Sequence, residues 1–527
     1  MRVYTMDLDC RHKATGHVHR WYLSTGKCVT GEGDAPPNLS FLPLVEAAPR
    51  VTVAVAAWGR TRGSTRVDVG TISLINVRRD STVPAEATVY DVTAGEWLRL
   101  SLPERPLNIL LTDYAPLTVV MRVVEHDHPY ATAVLHWRGR CRRWQPKRTT
   151  LDLPIADRMG DFDQPVLTDR YDDSAPAALR GVTKELVIGH APIMEPTYLG
   201  IVPSGTYANL HRWSTCGGRP IEDVPSFWDR AGPYARRASL PIMAGEYCVS
   251  VSDGMVYTAG KPTTPRCEVK GWKPGGVWLR SIGQVIAHLG TSSGLIGTAD
   301  PSAMDATPRT VNIVLPPGDG TTHAQLYDRL VGSVARGYWL VGLDNETLVI
   351  GRLPRPDDGE AKRTYRASTG ITSGLEPEAM GADELPARQV VLRWGRNLRP
   401  DSATVSDAAA DTVALWTREW RETPSAVDAS VVATYGESGS RIVPIDTDLA
   451  YAAEVAAEAP LWAAELADPP RGYALPVHDG APGITLCDRL LVIDSIADFG
   501  GDGARAVVYG RDIGEGAAGA VKLFVVR

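Results

Sequence analysis

The sequence predicts a mainly β protein with small α+β parts, on three observations. Short runs rich in Val, Ile, Thr, Tyr and Trp alternate apolar with polar residues, which is the period of a half-buried strand. The 50 Gly and 39 Pro are spread through all 527 residues, the density that many strand-joining turns require. Runs with helical spacing are few.

The stretch from Tyr22 to Val77 organises the N-terminal part. Gly26, Gly31 and Gly33 break short strand-like pieces, and Ala35-Pro36-Pro37-Asn38 ends a hairpin region, because proline lacks the amide donor a sheet ladder needs. After Gly63 one strand is expected, with Val67, Val69, Thr71, Ser73 and Ile75 on one side and Arg66, Asp68, Gly70, Ile72 and Leu74 on the other. Further strands are expected at Val89–Val92 and Trp97–Leu102, and two more between Ile109 and Val124, divided by Asp113 and Pro116. A partly closed barrel or sandwich would hide so many edges.

Beyond a connector rich in Asp and Pro (152–177), a strand runs from Thr183 into a proline-bounded loop. Asp253-Gly254 supplies a hairpin turn between Cys248–Val251 and Met255–Tyr257. Ser281 caps a helix that turns Ile282, Val285, Ile286 and Leu289 inward and stops at Gly290. A second helix is expected over Thr322–Val334, with Leu326, Leu330, Val331 and Val334 inward, between the strand Val311–Leu315 and a hairpin Tyr338–Leu353 turning at Asp344-Asn345. Residues 357–387 read as linker or long loop. Strands are then expected from Val390 and at Leu415–Trp420, Arg441–Ile445, Leu490–Ile493, Ala506–Tyr509 and Val521–Val526. An Ala-rich helix, Thr447–Ala459, is placed before Pro460 with Leu449, Ala453 and Ala456 on one side.

Several of these segments, in this order, resemble the tail-tip or baseplate hub proteins of long-tailed, siphovirus-type bacteriophages and related prophages. The likeness is carried by Thr25-Gly26, Thr30-Gly31-x-Gly33-Asp34-x-Pro36-Pro37, Arg62-Gly63-x-Thr65-x-Val67-x-x-Gly70 and Ile75-Asn76. It continues at Lys184-x-Leu186-x-x-Gly189, at Ala244-Gly245-x-Tyr247, in the strand, helix and hairpin ending Gly351-Arg352-Leu353-Pro354, and in the strand from Val390. Between Ser81 and Tyr114 the family's usual Asn-x-Asp-Gly strand end is missing, and the basic run at Arg138 has no family counterpart.

The resemblance implies the contractile-tail hub fold, with two β-barrel-like domains and smaller α+β domains. The expected division is 1–175 (N-terminal barrel or sandwich with connector), 176–275 (β-rich), 276–365 (α+β) and 366–527 (barrel-like with the Ala-rich helix). It also implies a structural virion protein, not an enzyme, located at the tail tip and made in the bacterial cytoplasm. Such a protein forms a homotrimeric ring that closes the tail channel and contributes to host attachment and DNA ejection. The implied partners are other copies of itself, the distal tail protein, the tape measure protein and the central fibre or spike. A tail-associated cell-wall or polysaccharide hydrolase and a glycan-binding receptor module are the competing classes.

Composition bounds these expectations. A net charge of −7 argues against tight binding along a nucleic-acid backbone and suits a surface that DNA passes without sticking. The N-terminal residues show no secretory pattern, and no apolar run is long enough for a membrane helix. The 7 scattered Cys form no Cys-x-x-Cys, which disfavours a disulfide framework or a cysteine zinc site and fits a reducing compartment.

No residue is assigned to catalysis, to a cofactor or to a metal, but four features are candidates for chemistry. Residues 136–148 (HWRGRCRRWQPKR) interleave basic groups with Trp137 and Trp144: either a phosphate-gripping patch with stacking aromatics or a basic edge paired with acidic neighbours. Gly290-Thr291-Ser292-Ser293-Gly294 has nucleophile-elbow spacing, but a helix precedes it where the elbow needs a strand. His17/His19 and His126/His128 each place two imidazoles on one face of a strand, where they serve either as half of a metal site or as a polar face. Asp161/Asp163 and Asp172/Asp173 are neighbours in sequence, which is no sign of the cleft-spanning pair that glycoside hydrolysis needs.

Overall fold

The computed structural model describes residues 2–55, 65–78, 82–125, 128–156, 158–342, 344, 346–367, 372, 374–378, 385–401, 410–468, 471–478, 481, 484–494, 499, 502–513 and 521–526. The fold is mainly β with small α+β parts, as the sequence predicts. Among the described residues no sheet closes on itself into a barrel.

The N-terminal sheet runs in the order Val45–Ala47, Thr71–Ile75, Thr150–Ala156, Val134–Cys141, Tyr114–Glu125, Arg2–His12, Val18–Ser24, Glu86–Asp91, Glu96–Ser101. Strict alternation sets its two faces. Met6, Leu8 and Cys10 point into the core with Val119 and Met121. On the opposite face Asp9 lies directly across from Arg20, joined at 2.7 and 2.9 Å, and Asp7 accepts from Arg122 at 2.6 Å.

The expected single strand after Gly63 is two. Thr65–Val69 pairs with Val51–Val55, which pairs with Ala504–Ile513 of a C-terminal sheet, whereas Thr71–Ile75 pairs with Thr150–Ala156. The corner falls at Gly70, where a β-carbon would stand 3.4 Å from the Arg50 backbone. The buried side switches there: beyond it Ile72 and Leu74 are fully buried and Thr71 is exposed.

The two strands expected between Ile109 and Val124 are a short helix, Asn108–Asp113, and one strand, Tyr114–Glu125. Pro116 is tolerated because it sits where the ladder to Arg2–His12 slips register.

Two five-stranded sheets follow, Gly232–Pro233, Ile221–Asp229, Pro265–Trp272, Leu186–Met194, Asn312–Leu315 and Thr197–Ile201, His211–Ser214, Met255–Thr258, Glu246–Ser250, Ala235–Arg236. The α+β part sets helices Ile282–Ser292 and His323–Val331 against the sheet Thr298–Asp300, Thr347–Arg352, Gly337–Val341. Every inward residue predicted for these two helices is buried. Gly290 does not end its helix, which continues to Ser292; it is a close-packing position, with Leu348 and Ile296 3.2 and 3.3 Å from where a β-carbon would be. Thr322 caps the second helix with the reciprocal Gln325, and the helix ends at Val331, before the predicted Val334. The hairpin Gly337–Val341 and Thr347–Arg352 forms with Asp344 accepting from the Glu346 and Thr347 amides; Asn345 lies outside the described residues.

The C-terminal part departs most from expectation. The predicted strand Leu415–Trp420 is the end of a helix, Ala410–Thr417, and the strand begins only at Arg421. The Ala-rich helix spans Ala452–Ala467 and runs through Pro460. It buries Val455, Glu458, Ala459, Trp462 and Leu466, not Ala453 and Ala456, which are exposed. Its apolar stripe closes a core that extends continuously from Phe162 to Leu466. A second core joins Tyr4 to Val526. No helix of the described residues is long and apolar enough to cross a membrane.

Candidate functional site

The constellation with the most defined geometry is built on His17 and His19. His19 lies on the strand Val18–Ser24 and His17 one residue before it, and both imidazoles turn to one side, toward Asp91. The next strand of the sheet ends at Asp91, directly opposite His19 in the ladder. Asp91 Oδ2 lies 2.9 Å from His17 Nδ1 and 3.4 Å from His19 Nε2, so one carboxylate oxygen faces both rings. Its other oxygen, Oδ1, accepts the backbone amides of Thr93 and Ala94, both at 2.9 Å. The turn therefore fixes the carboxylate before the imidazoles use it.

The remaining nitrogen of His19, Nδ1, meets the Tyr114 hydroxyl at 2.8 Å, and the His12 ring stacks on His19 at 5.7 Å. Burial pushes Asp91 up, but hydrogen bonds from the Ala94 amide, His17 and the Thr93 amide outweigh it and hold the carboxyl at about 2. Burial lowers His19 against the opposing pull of Asp91. The Tyr114 hydroxyl is pushed up to about 12, mainly by burial, so it stays neutral and able to donate or accept.

The other sequence candidates are placed differently. Of the second histidine pair, His126 lies outside the described residues, so that pair has no geometry to report. In the basic run, Trp137 is 1% exposed and Trp144 is half-buried, donating its indole N–H to the Tyr114 carbonyl at 3.1 Å. Trp137 is not presented for stacking, which removes one of the two aromatics from the phosphate-patch reading. Arg138 pairs with Glu346 at 2.6 Å, Arg140 with Asp161 at 3.1 Å and Lys147 with Asp152 at 2.5 Å, as the paired-edge reading expects.

Ser292 is exposed at the C-terminal end of a helix, with no strand leading into it. Asp161 is held by Arg140 and Arg158, and Asp172 accepts the amide and hydroxyl of Ser174 at 2.9 and 2.5 Å. These carboxylates tie a loop and cap a turn.

One feature was not read from the sequence: a cleft of about 810 Å³ between the second β region and the C-terminal part, lined by Glu195, Tyr198, Trp213, Lys261 and Arg399 among others. Lys261 lies 4.5 Å over the Tyr198 ring, and Glu195 is held by Arg399 at 2.7 Å. Its residues come from segments far apart in the chain, so no local motif announces it.

No family model matches the chain. No curated protein matches it either. Among solved structures, the chain is similar to the 43 kDa tail protein of prophage MuSo2 from Shewanella oneidensis, at 10% identity and TM-score 0.37 over 93% of this chain and 95% of that one. It is also similar to a chain of the virion of a native gene transfer agent particle, at 13% identity and TM-score 0.38 over 68% and 86%. A tail protein from Neisseria meningitidis MC58 matches at 10% identity and TM-score 0.35 over 91% and 96%. Scores this low carry no assignment of role.

Proposed function

We propose that this chain is a structural protein of a phage tail, serving as a tail-tip or baseplate hub. It would ring the tail channel, join the distal tail to the central fibre or spike, and open during host attachment and DNA ejection. The observation that carries this reading is the ordered set of motifs along the chain, several of which open, close or lie within a β element, while residues 30–37 form the turn region between strands. Lys184-x-Leu186-x-x-Gly189 opens the strand Leu186–Met194, Ala244-Gly245-x-Tyr247 opens Glu246–Ser250, and Gly351-Arg352 closes Thr347–Arg352.

A sheet edge with no partner strand among the described residues supports an assembly role. The N-terminal sheet ends in Glu96–Ser101, a strand whose outer residues are exposed, and such an edge is a template for another chain unless it is covered. The proposed neighbours are two further copies of the chain, the distal tail protein, the tape measure protein and the fibre or spike. The proposal keeps the four-part division at 175, 275 and 365.

A glycan-binding reading has one observation in its favour, the aromatic and charged cleft beside Tyr198 and Trp213. Gold labelling of intact particles through this chain separates the two. The hub reading expects label at the tail tip and a trimer by sedimentation. Label along the capsid or shaft, or a lone chain that adsorbs to cells and blocks infection, would overturn it.

A further inference from the structure

We infer that His17, His19 and Asp91 form a binding site for a divalent transition-metal ion, with zinc the best-matched, that clamps the N-terminal hairpin to its neighbour. This inference is independent of the tail reading.

The donors are two imidazole nitrogens and one carboxylate oxygen, a set suited to a borderline-soft ion and poorly suited to calcium or magnesium, which take oxygen. The three ligand atoms lie within 4.8 Å of one another. Donors about 2.0–2.2 Å from a tetrahedral zinc stand roughly 3.4 Å apart. His19 Nε2 and Asp91 Oδ2 are 3.4 Å apart, and the His17 contact of 2.9 Å needs only a small opening. His17 stands just before its strand on a side chain that is 45% exposed, so it has room to make that adjustment.

The surroundings are those of a supported centre. A metal-ligating histidine ordinarily gives its second ring nitrogen to a fixed partner, and a ligating carboxylate is itself hydrogen-bonded. Here His19 Nδ1 faces the Tyr114 hydroxyl at 2.8 Å, and the far oxygen of Asp91 is held by two backbone amides. Tyr114 can accept as readily as donate, so His19 can shift its proton to Nδ1 and free Nε2 for the metal. The His19 and Asp91 side chains are 9% and 4% exposed, whereas the His17 side opens to solvent, where water can complete the coordination.

A hydrogen-bonded triad without metal would share much of this geometry, and titration of the tag-free, full-length chain with zinc separates the two after chelator treatment. The expected result is one tightly held equivalent by elemental analysis, a zinc-dependent rise in the thermal midpoint reversed by chelator, and tetrahedral visible bands when cobalt replaces zinc. H17A, at a half-exposed position, should keep the fold while weakening zinc binding by about a hundredfold. Y114F should weaken it about tenfold, as loss of an outer-shell partner does. No stoichiometric zinc, or zinc bound equally by H17A, overturns the assignment.

Discussion

Arg352 grips Glu458 with both ends of its guanidinium, Nη2 to Oε1 at 2.9 Å and Nη1 to Oε2 at 3.2 Å, and Glu458 has no exposed surface. Arg309 adds a third contact, Nε to Oε1 at 2.9 Å. The carboxylate thus holds the helix Ala452–Ala467 against the α+β part. Removing one member leaves buried charge without a partner, so E458A should lose about 3–5 kcal/mol. The midpoint of urea unfolding, followed by tryptophan fluorescence, reads this loss; replacing Glu458, Arg309 and Arg352 together with apolar residues should recover part of it.

Gly189 has φ +75°, and a β-carbon there would lie 1.9 Å from the Val311 carbonyl oxygen. That oxygen already accepts the His190 amide at 2.8 Å and cannot retreat without breaking the ladder. G189A should therefore cost about 3 kcal/mol or more, combining backbone strain with the clash. Gly205 also has positive φ, +88°, but nothing stands within 4 Å, so G205A should cost only about 1 kcal/mol. Parallel thermal melts compare the two.

Thr322 accepts the Gln325 amide through Oγ1 at 3.3 Å while Gln325 Oε1 accepts the Thr322 amide at 3.1 Å. T322A should weaken the helix start by about 1 kcal/mol. Amide exchange should quicken in the first turn of His323–Val331 with the strands unchanged.

Burial holds His136 down at about 4, with a bond to the Pro49 backbone opposing it, and burial likewise holds His323 at about 4. The ordinary value is 6.5. Below that pH the unfolded chain takes up protons that the folded chain refuses, so stability is fully present above pH 6.5 and is lost as pH falls toward 4. Chemical denaturation across this window should show a falling midpoint, with a shallower slope in H323F.

Local pattern accounted for much of the molecule. The inward faces of the two α+β helices, Ile282, Val285, Ile286 and Leu289 in one and Leu326, Leu330 and Val331 in the other, were legible from spacing, and Ser281 and Thr322 marked the helix starts, because each signal depends only on near neighbours. Pro460 misled because it lies on the exposed side of its helix, while the opposite side is anchored by Glu458 and Glu465, ion-paired to distant arginines, and by Trp462 packed in the core. The helix at Ala410–Thr417 was misread because its buried Trp416 and its flanking apolar residues also fit a strand.

The same division holds for the candidate metal site. The sequence alone pointed to His17 and His19 sharing a face, since alternate residues of an extended segment turn the same way, although the strand itself begins only at Val18. Only the tertiary structure could place Asp91, 74 residues from His17, against both rings, or pair Val51–Val55 with Ala504–Ile513 at the far end of the chain. Sheet ladders join segments through backbone groups that every residue carries, so the residues in between hold no record of which strand will be the partner.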